Sequence, residues 1–106
     1  MMNNETFSSV AVGNMTLDRD ARTVNIAGAE IQLSKLEYNL LLHFMTEPNK
    51  LQTREQLLVN VWGAQPDMKT RTVDMHIARL RAKIANDSTE IRSVRGMGYR
   101  FITSTK

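Results

Sequence analysis

The hydrophobic period of the chain changes at Ser34, and that switch restricts the folds open to it. Before it, short segments alternate apolar and polar residues: Ser9-Val10-Ala11-Val12, Met15-Thr16-Leu17, Thr23-Val24-Asn25-Ile26 and Glu30-Ile31-Gln32-Leu33. Gly13-Asn14, Asp18-Arg19-Asp20 and Ala27-Gly28 separate them. Period two sends alternate side chains to opposite faces of an extended chain, and the separators are turn formers. Residues 7–33 are therefore expected to form a four-stranded antiparallel sheet with one wet face.

After the switch the pattern is helical. Ser34-Lys35-Leu36-Glu37 is a capping box, in which the serine hydroxyl and the glutamate carboxylate satisfy each other's backbone amides. Leu36, Leu40 and Phe44 give one apolar face, with Leu41 and Met45 beside it, and Pro48 ends the helix. A second box, Thr53-Arg54-Glu55-Gln56, opens a shorter helix carrying Leu57, Leu58, Val61 and Trp62, with Gly63 as its terminator. Residues 63–69 form a polar connector, and a third helix is expected over 70–85, before Asn86-Asp87-Ser88. Two strands, 91–95 and 99–103, close the chain around Gly96-Met97-Gly98, a loop suited to a β-hairpin. The expectation is a single α+β domain over 1–106: a sheet over 7–33, three helices over 34–85 and a hairpin over 91–103.

Composition removes several function classes. A chain of 106 residues with 42% apolar and 24% charged residues can bury one core and not comfortably two. No apolar run approaches the roughly 20 residues of a membrane helix, and Met1-Met2-Asn3-Asn4-Glu5 lacks the regions of a signal peptide. There is no cysteine, and the two histidines, His43 and His76, fall on different expected helices, so neither a thiol nucleophile nor a transition-metal site is expected. Gly96-Met97-Gly98 precedes no helix and is not a nucleotide loop. No acid–base pair sits in an expected cleft. The expectation is a cytoplasmic, non-enzymatic protein without a cofactor and without a membrane partner.

The charge is unevenly placed. Residues 69–100 carry eight basic side chains (Lys69, Arg71, Arg79, Arg81, Lys83, Arg92, Arg95 and Arg100) against three acids, a net +5. Residues 1–68 carry five against eight, a net −3. A basic third on an acidic body suits a polyanion partner, although a solvated charged face would look the same on charge alone.

The third helix separates these alternatives further. At 100° per residue Val73, Ile77, Leu80 and Ile84 fall within about 60° of one another and form the buried stripe. The opposite side presents Arg71, Met75, Ala78, Arg79 and Ala82, with Thr72, His76 and Lys83 on one flank and Asp74 and Arg81 on the other. A merely solvated helix more often pairs glutamate with lysine four residues apart. Here small residues lie between two arginines: the helix can sink into a major groove, where arginine reads guanine and methionine meets a thymine methyl. The hairpin adds Arg92, Arg95 and Arg100 around its glycine tip, with Tyr99 beside them, a shape that can reach phosphates or a minor groove. A basic hairpin also protects a sheet edge from aggregation.

Four stretches together resemble the C-terminal effector domain of OmpR/PhoB-type two-component response regulators, a winged helix-turn-helix. They are Leu33-Ser34-Lys35-Leu36-Glu37-Tyr38-Asn39-Leu40-Leu41; Thr53-Arg54-Glu55-Gln56-Leu57-Leu58 with Val61-Trp62-Gly63; Arg71-Thr72-Val73-Asp74-Met75-His76-Ile77 with Arg79-Leu80-Arg81; and Val94-Arg95-Gly96-Met97-Gly98-Tyr99-Arg100-Phe101. The resemblance spans about Val10 to Phe101. It implies a recognition helix with Arg71, Met75 and Arg79 near bases and Thr72 and His76 near phosphate or base edges; Lys83, on the same flank of the wheel, is expected at the DNA backbone or flank. Arg81 is implied to support backbone contacts, with an internal ion pair as its rival. Ser93, Arg95 and Tyr99 are implied to approach DNA from the wing, and Arg54 and Trp62 to meet phosphate, Trp62 being mostly buried with one edge available.

Many relatives have an arginine or another polar residue where this chain has Ala78, so their base code does not transfer. The resemblance further implies tandem half-sites on double-stranded DNA, and an RNA polymerase contact through Gln65, Asp67 and Met68. It also implies a monomer without DNA, because dimerisation belongs to a receiver domain that this chain lacks. An excised domain and a receiver-less relative both fit. The competing class is a winged-helix protein-interaction module that binds no nucleic acid.

Overall fold

The computed structural model describes residues 9–63, 70–84 and 89–103. Four strands open the fold: β1 (Ser9–Val12), β2 (Met15–Asp18), β3 (Thr23–Ile26) and β4 (Ala29–Ile31). They form an antiparallel meander in sequence order. Its register places Leu17 opposite Val24 and Met15 opposite Ile26, so all four side chains point inward, while Thr16 stays exposed. The single wet face follows from this alternation. The fourth strand is shorter than the sequence pattern suggested and ends at Ile31.

Helix α1 (Lys35–Thr46) begins at the expected capping box. Ser34 Oγ accepts from the Glu37 amide at 3.2 Å, and Glu37 Oε1 accepts from the Ser34 amide at 2.9 Å. Leu40, Leu41, Phe44 and Met45 are buried along its inner side. Past its end, the Asn49 amide donates to the Phe101 carbonyl at 2.7 Å, which docks the chain on the final strand. There the structure adds an element absent from the sequence reading: β5 (Leu51–Thr53).

Helix α2 (Arg54–Leu57) starts at the second capping box, with Thr53 as its cap, and continues as a π-helical turn over Leu58–Trp62 instead of the single α-helix expected. Gly63 ends it at φ 65°, a left-handed conformation that suits glycine. Helix α3 (Arg71–Lys83) buries Val73, Ile77 and Leu80, and Ile84 just beyond it, as its apolar stripe required. The last two strands, β6 (Thr89–Val94) and β7 (Gly98–Thr103), are antiparallel; β5 adds on the other side of β7, giving the order β5-β7-β6. The expected two-stranded hairpin is thus part of a three-stranded sheet, with its strands shifted by one or two residues. The addition of β5 explains Gly98: a Cβ there would lie 2.1 Å from the Gln52 carbonyl oxygen.

One apolar cluster joins the N-terminal sheet, all the helices and the final strands. Phe44 of α1 stacks on Phe101 of β7 with ring centroids 6.1 Å apart. The core therefore holds α3 by one side only and fixes the wing beside it.

Candidate nucleic-acid interface

The outward side of α3 is open. Arg71, Met75, Ala78, Arg79 and Ala82 are all exposed, Met75 to 49%. Among the described residues, neither Arg71 nor Arg79 has a hydrogen bond or ion pair. Two unpaired arginines flank a strip made only of methionine and alanine. Among the described residues no carboxylate lies on this side, although Asp74 on the flank interacts electrostatically with Arg71.

The flanks are more occupied. His76 and Thr72 are half-buried, and the His76 Nδ1–H donates to the Thr72 carbonyl at 2.9 Å, which leaves Nε2 for another partner. The Trp62 ring meets the His76 ring edge-on, with centroids 5.3 Å apart. Trp62 is half-buried. Lys83, expected on the DNA flank, instead donates to Glu37 Oε1 at 2.7 Å. The Glu37 side chain is only 4% exposed, so a buried carboxylate holds the lysine. Burial works against the charge on Glu37, yet the bonds from Lys83 and the Ser34 amide outweigh it and hold its carboxyl below the ordinary glutamate range.

On the opposite flank four side chains from α2, α3 and β7 converge. Asp74 Oδ1 accepts from Arg54 Nε at 2.8 Å and from the Tyr99 hydroxyl. The Arg54 and Arg81 guanidinium carbons each lie 5.4 Å from the Tyr99 ring centroid, within cation–π range. Arg81 also reaches β6, donating from Nε to the Ile91 carbonyl at 2.8 Å and from Nη2 to Ser93 Oγ at 2.7 Å. Burial opposes ionisation of Asp74, but the bonds from Tyr99 and Arg54 prevail and its carboxyl titrates below the ordinary aspartate value. For Tyr99, burial and the bond to Asp74 both push the phenol upward.

Several of the expected site residues already have partners within the protein. Tyr99 is in the expected strand but only 5% exposed, because its ring fills the seam between α3 and the wing. Arg81 binds a carbonyl and a hydroxyl within the protein, and among the described residues it does not form the ion pair considered as its rival. Ser93 is exposed, but its oxygen already accepts from Arg81. Arg54 spends Nε on Asp74 and remains 32% exposed. At the wing, Arg95 is exposed with no partner among the described residues, whereas Arg92 pairs with Glu90 at 2.9 Å. Gln65, Asp67 and Met68 lie outside the described residues.

The sequence reading missed Asp74 as the common acceptor, and Glu37 as more than a cap. The only available signal for the first was that Asp74 and Arg81 share one flank of the α3 wheel. Nothing local links residue 54 to residue 74, or residue 37 to residue 83.

A helix-turn-helix held by one core, with a β-sheet wing pinned beside its third helix, defines the winged helix-turn-helix class. The family described as transcriptional regulatory protein, C terminal, matches residues 28–101. The phosphate regulon transcriptional regulatory protein PhoB of Pseudomonas aeruginosa is 40% identical over 97 residues, covering 91% of this chain and 42% of that protein. The response regulator ArlR of Staphylococcus aureus is 39% identical over 92 residues, covering 85% and 42%. Among solved structures, the Klebsiella pneumoniae RstA DNA-binding domain in complex with the RstA box superposes with a TM-score of 0.79 at 33% identity, over 89% of this chain and 96% of that one. The chain belongs to the family of C-terminal effector domains of OmpR/PhoB-type response regulators. It spans about two fifths of the length of the curated relatives it matches. Among the described residues no helix is long and apolar enough to cross a membrane.

Proposed function

We propose that the chain acts as a single domain that binds double-stranded DNA in a sequence-dependent way and regulates transcription. Helix α3 lies in the major groove and the wing on the backbone or adjacent minor groove. The observation that carries this reading is the open outer side of α3, with Arg71 and Arg79 exposed and unpaired around small residues. Family membership supports it, as does the RstA neighbour, itself a complex with its DNA box.

Arg71, Met75 and Arg79 face base edges in this reading. Arg54, Thr72, His76, Trp62 and Arg95 serve the backbone or groove flank. Ser93, Arg81 and Tyr99 hold the wing, and Lys83 serves the core. The domain works in the cytoplasm as a monomer until tandem half-sites bring copies together, and Gln65, Asp67 and Met68 offer a surface to RNA polymerase.

Binding to random and selected duplexes, followed by fluorescence anisotropy at several salt concentrations, tests the reading. About four to six phosphate contacts should make affinity fall roughly as the fourth to fifth power of salt. Arg79→Ala should cost about 1–3 kcal/mol of discrimination at one base pair. Uniform weakening on every sequence would reassign Arg79 to the backbone. Absence of any association in dilute buffer would leave the protein-interaction class instead.

A further inference from the structure

Asp74 is an acid on the helix that carries the basic face, and placing such a charge near DNA ordinarily weakens binding by repulsion from phosphate. Its surroundings give it a different use. Oδ1 accepts from two donors on two other elements, Arg54 Nε at the start of α2 and the Tyr99 hydroxyl of β7. Arg54 is held through Nε by Asp74 and interacts with the Tyr99 hydroxyl as well, so its guanidinium is fixed while part of its set of five N–H donors stays open. The Tyr99 ring packs 5.4 Å from the same guanidinium and fixes its plane from a second direction. An arginine already held in place loses less freedom when it takes a phosphate than one swinging in solvent.

We propose that Asp74 is a positioning residue for backbone binding: it holds Arg54 by Nε so that the terminal guanidinium nitrogens face a DNA phosphate, and holds Tyr99 so that the wing keeps its spacing from α3. The proposal rests on the DNA-binding reading above. It fixes the sign of a substitution: removal of Asp74 weakens binding, although it removes a negative charge from the interface.

The test uses the 106-residue chain and a labelled duplex taken from the pool that the wild-type chain retains from a random library. Anisotropy titrations across a salt series are run with each variant at temperatures where circular dichroism shows it folded. Asp74→Ala is expected to weaken binding roughly tenfold, the scale of one charge-assisted hydrogen bond. It is also expected to reduce the salt slope by about 0.9, one phosphate contact. Arg54→Ala should do the same, and the double variant should bind within about twofold of the weaker single variant, because both changes remove one contact. Asp74→Asn keeps the size and an acceptor oxygen and should lose less than Asp74→Ala.

A purely structural role would lower the melting temperature without moving the salt slope. Tighter binding by either Asp74 variant, independent losses in the double variant, or an unchanged slope overturns the proposal alone. A wild-type chain that retains no duplex overturns the DNA-binding reading and the proposal with it.

Discussion

Replacing Lys83 by methionine separates a DNA contact from a structural counterion. Methionine keeps most of the apolar stem and removes the ammonium that sits 2.7 Å from Glu37 Oε1. The Glu37 carboxylate, 4% exposed, would keep its interactions with Ser34, chiefly the bond from the Ser34 amide. Breaking a fully buried pair costs about 3–5 kcal/mol. Lys83 is 41% exposed and the amide bond survives, so about 2 kcal/mol is the appropriate scale. For a domain of this size that lowers the melting temperature by about 8–16 °C.

The loss should depend on pH. In the wild type the lowered Glu37 pKa contributes stability above the ordinary glutamate range, and that stability is lost as pH falls through the lowered value. Without Lys83 two of the contributions that lower the pKa are gone, so the carboxyl of the folded variant takes up a proton at higher pH than that of the wild type. The penalty is full at neutral pH and shrinks on acidification toward about pH 4. Glu37→Gln in the same background should recover much of the loss at neutral pH, since glutamine still closes the capping box. Thermal melts at several pH values measure all three effects. A loss under about 3 °C, well below that expected for 2 kcal/mol, or one indifferent to pH, refutes the counterion role.

Gly98→Ala should destabilise the fold by about 2–4 kcal/mol in urea titration, because its Cβ would fall 2.1 Å from the Gln52 oxygen and force β5 away from β7. Ile77→Ala, at a position with no exposure, should cost about 2–5 kcal/mol in the same assay without altering the outer face of α3. Tyr99→Phe removes one of the two donors that lower the Asp74 pKa. Asp74 contributes stability above the ordinary aspartate range that is lost as pH falls through its lowered value, so the variant should begin to lose that stability at higher pH on acid titration.

The parts of the fold that were legible in the sequence are those set by local pattern. Both capping boxes, the inward pairs of the N-terminal sheet and the Val73–Ile77–Leu80–Ile84 stripe each follow from spacing within one element. Strand β5 was not legible, because three residues are too short to show a period and the inward one is polar. Gln52 is buried and its Oε1 faces His43 Nε2 at 3.2 Å, so its cost is met by a side chain nine residues away. The α3 surface was visible for the same local reason as its core. The Asp74 junction was not, because its members come from residues 54, 74, 81 and 99 and meet only once the wing folds against the helix.

This division also decides what the basic third of the chain can do. Formal charge treats Arg81, Lys83, Arg92 and Arg95 alike, but hydrogen bonds to β6, Glu37 and Glu90 engage the first three, and of these four Arg95 alone is left without a partner among the described residues. A cation turned toward a buried carboxylate, as Lys83 is toward Glu37, gains little from a phosphate and releases few counterions there, whereas one that presents free N–H groups outward releases close to a full counterion. Arg95→Ala should therefore lower the salt slope by about 0.9, while Lys83→Met should leave it unchanged despite its larger cost in stability. Anisotropy on one duplex across a salt series compares the two directly. Equal changes in slope would mean that Lys83 leaves Glu37 for the DNA backbone, and the assignment of this lysine to the core would be wrong.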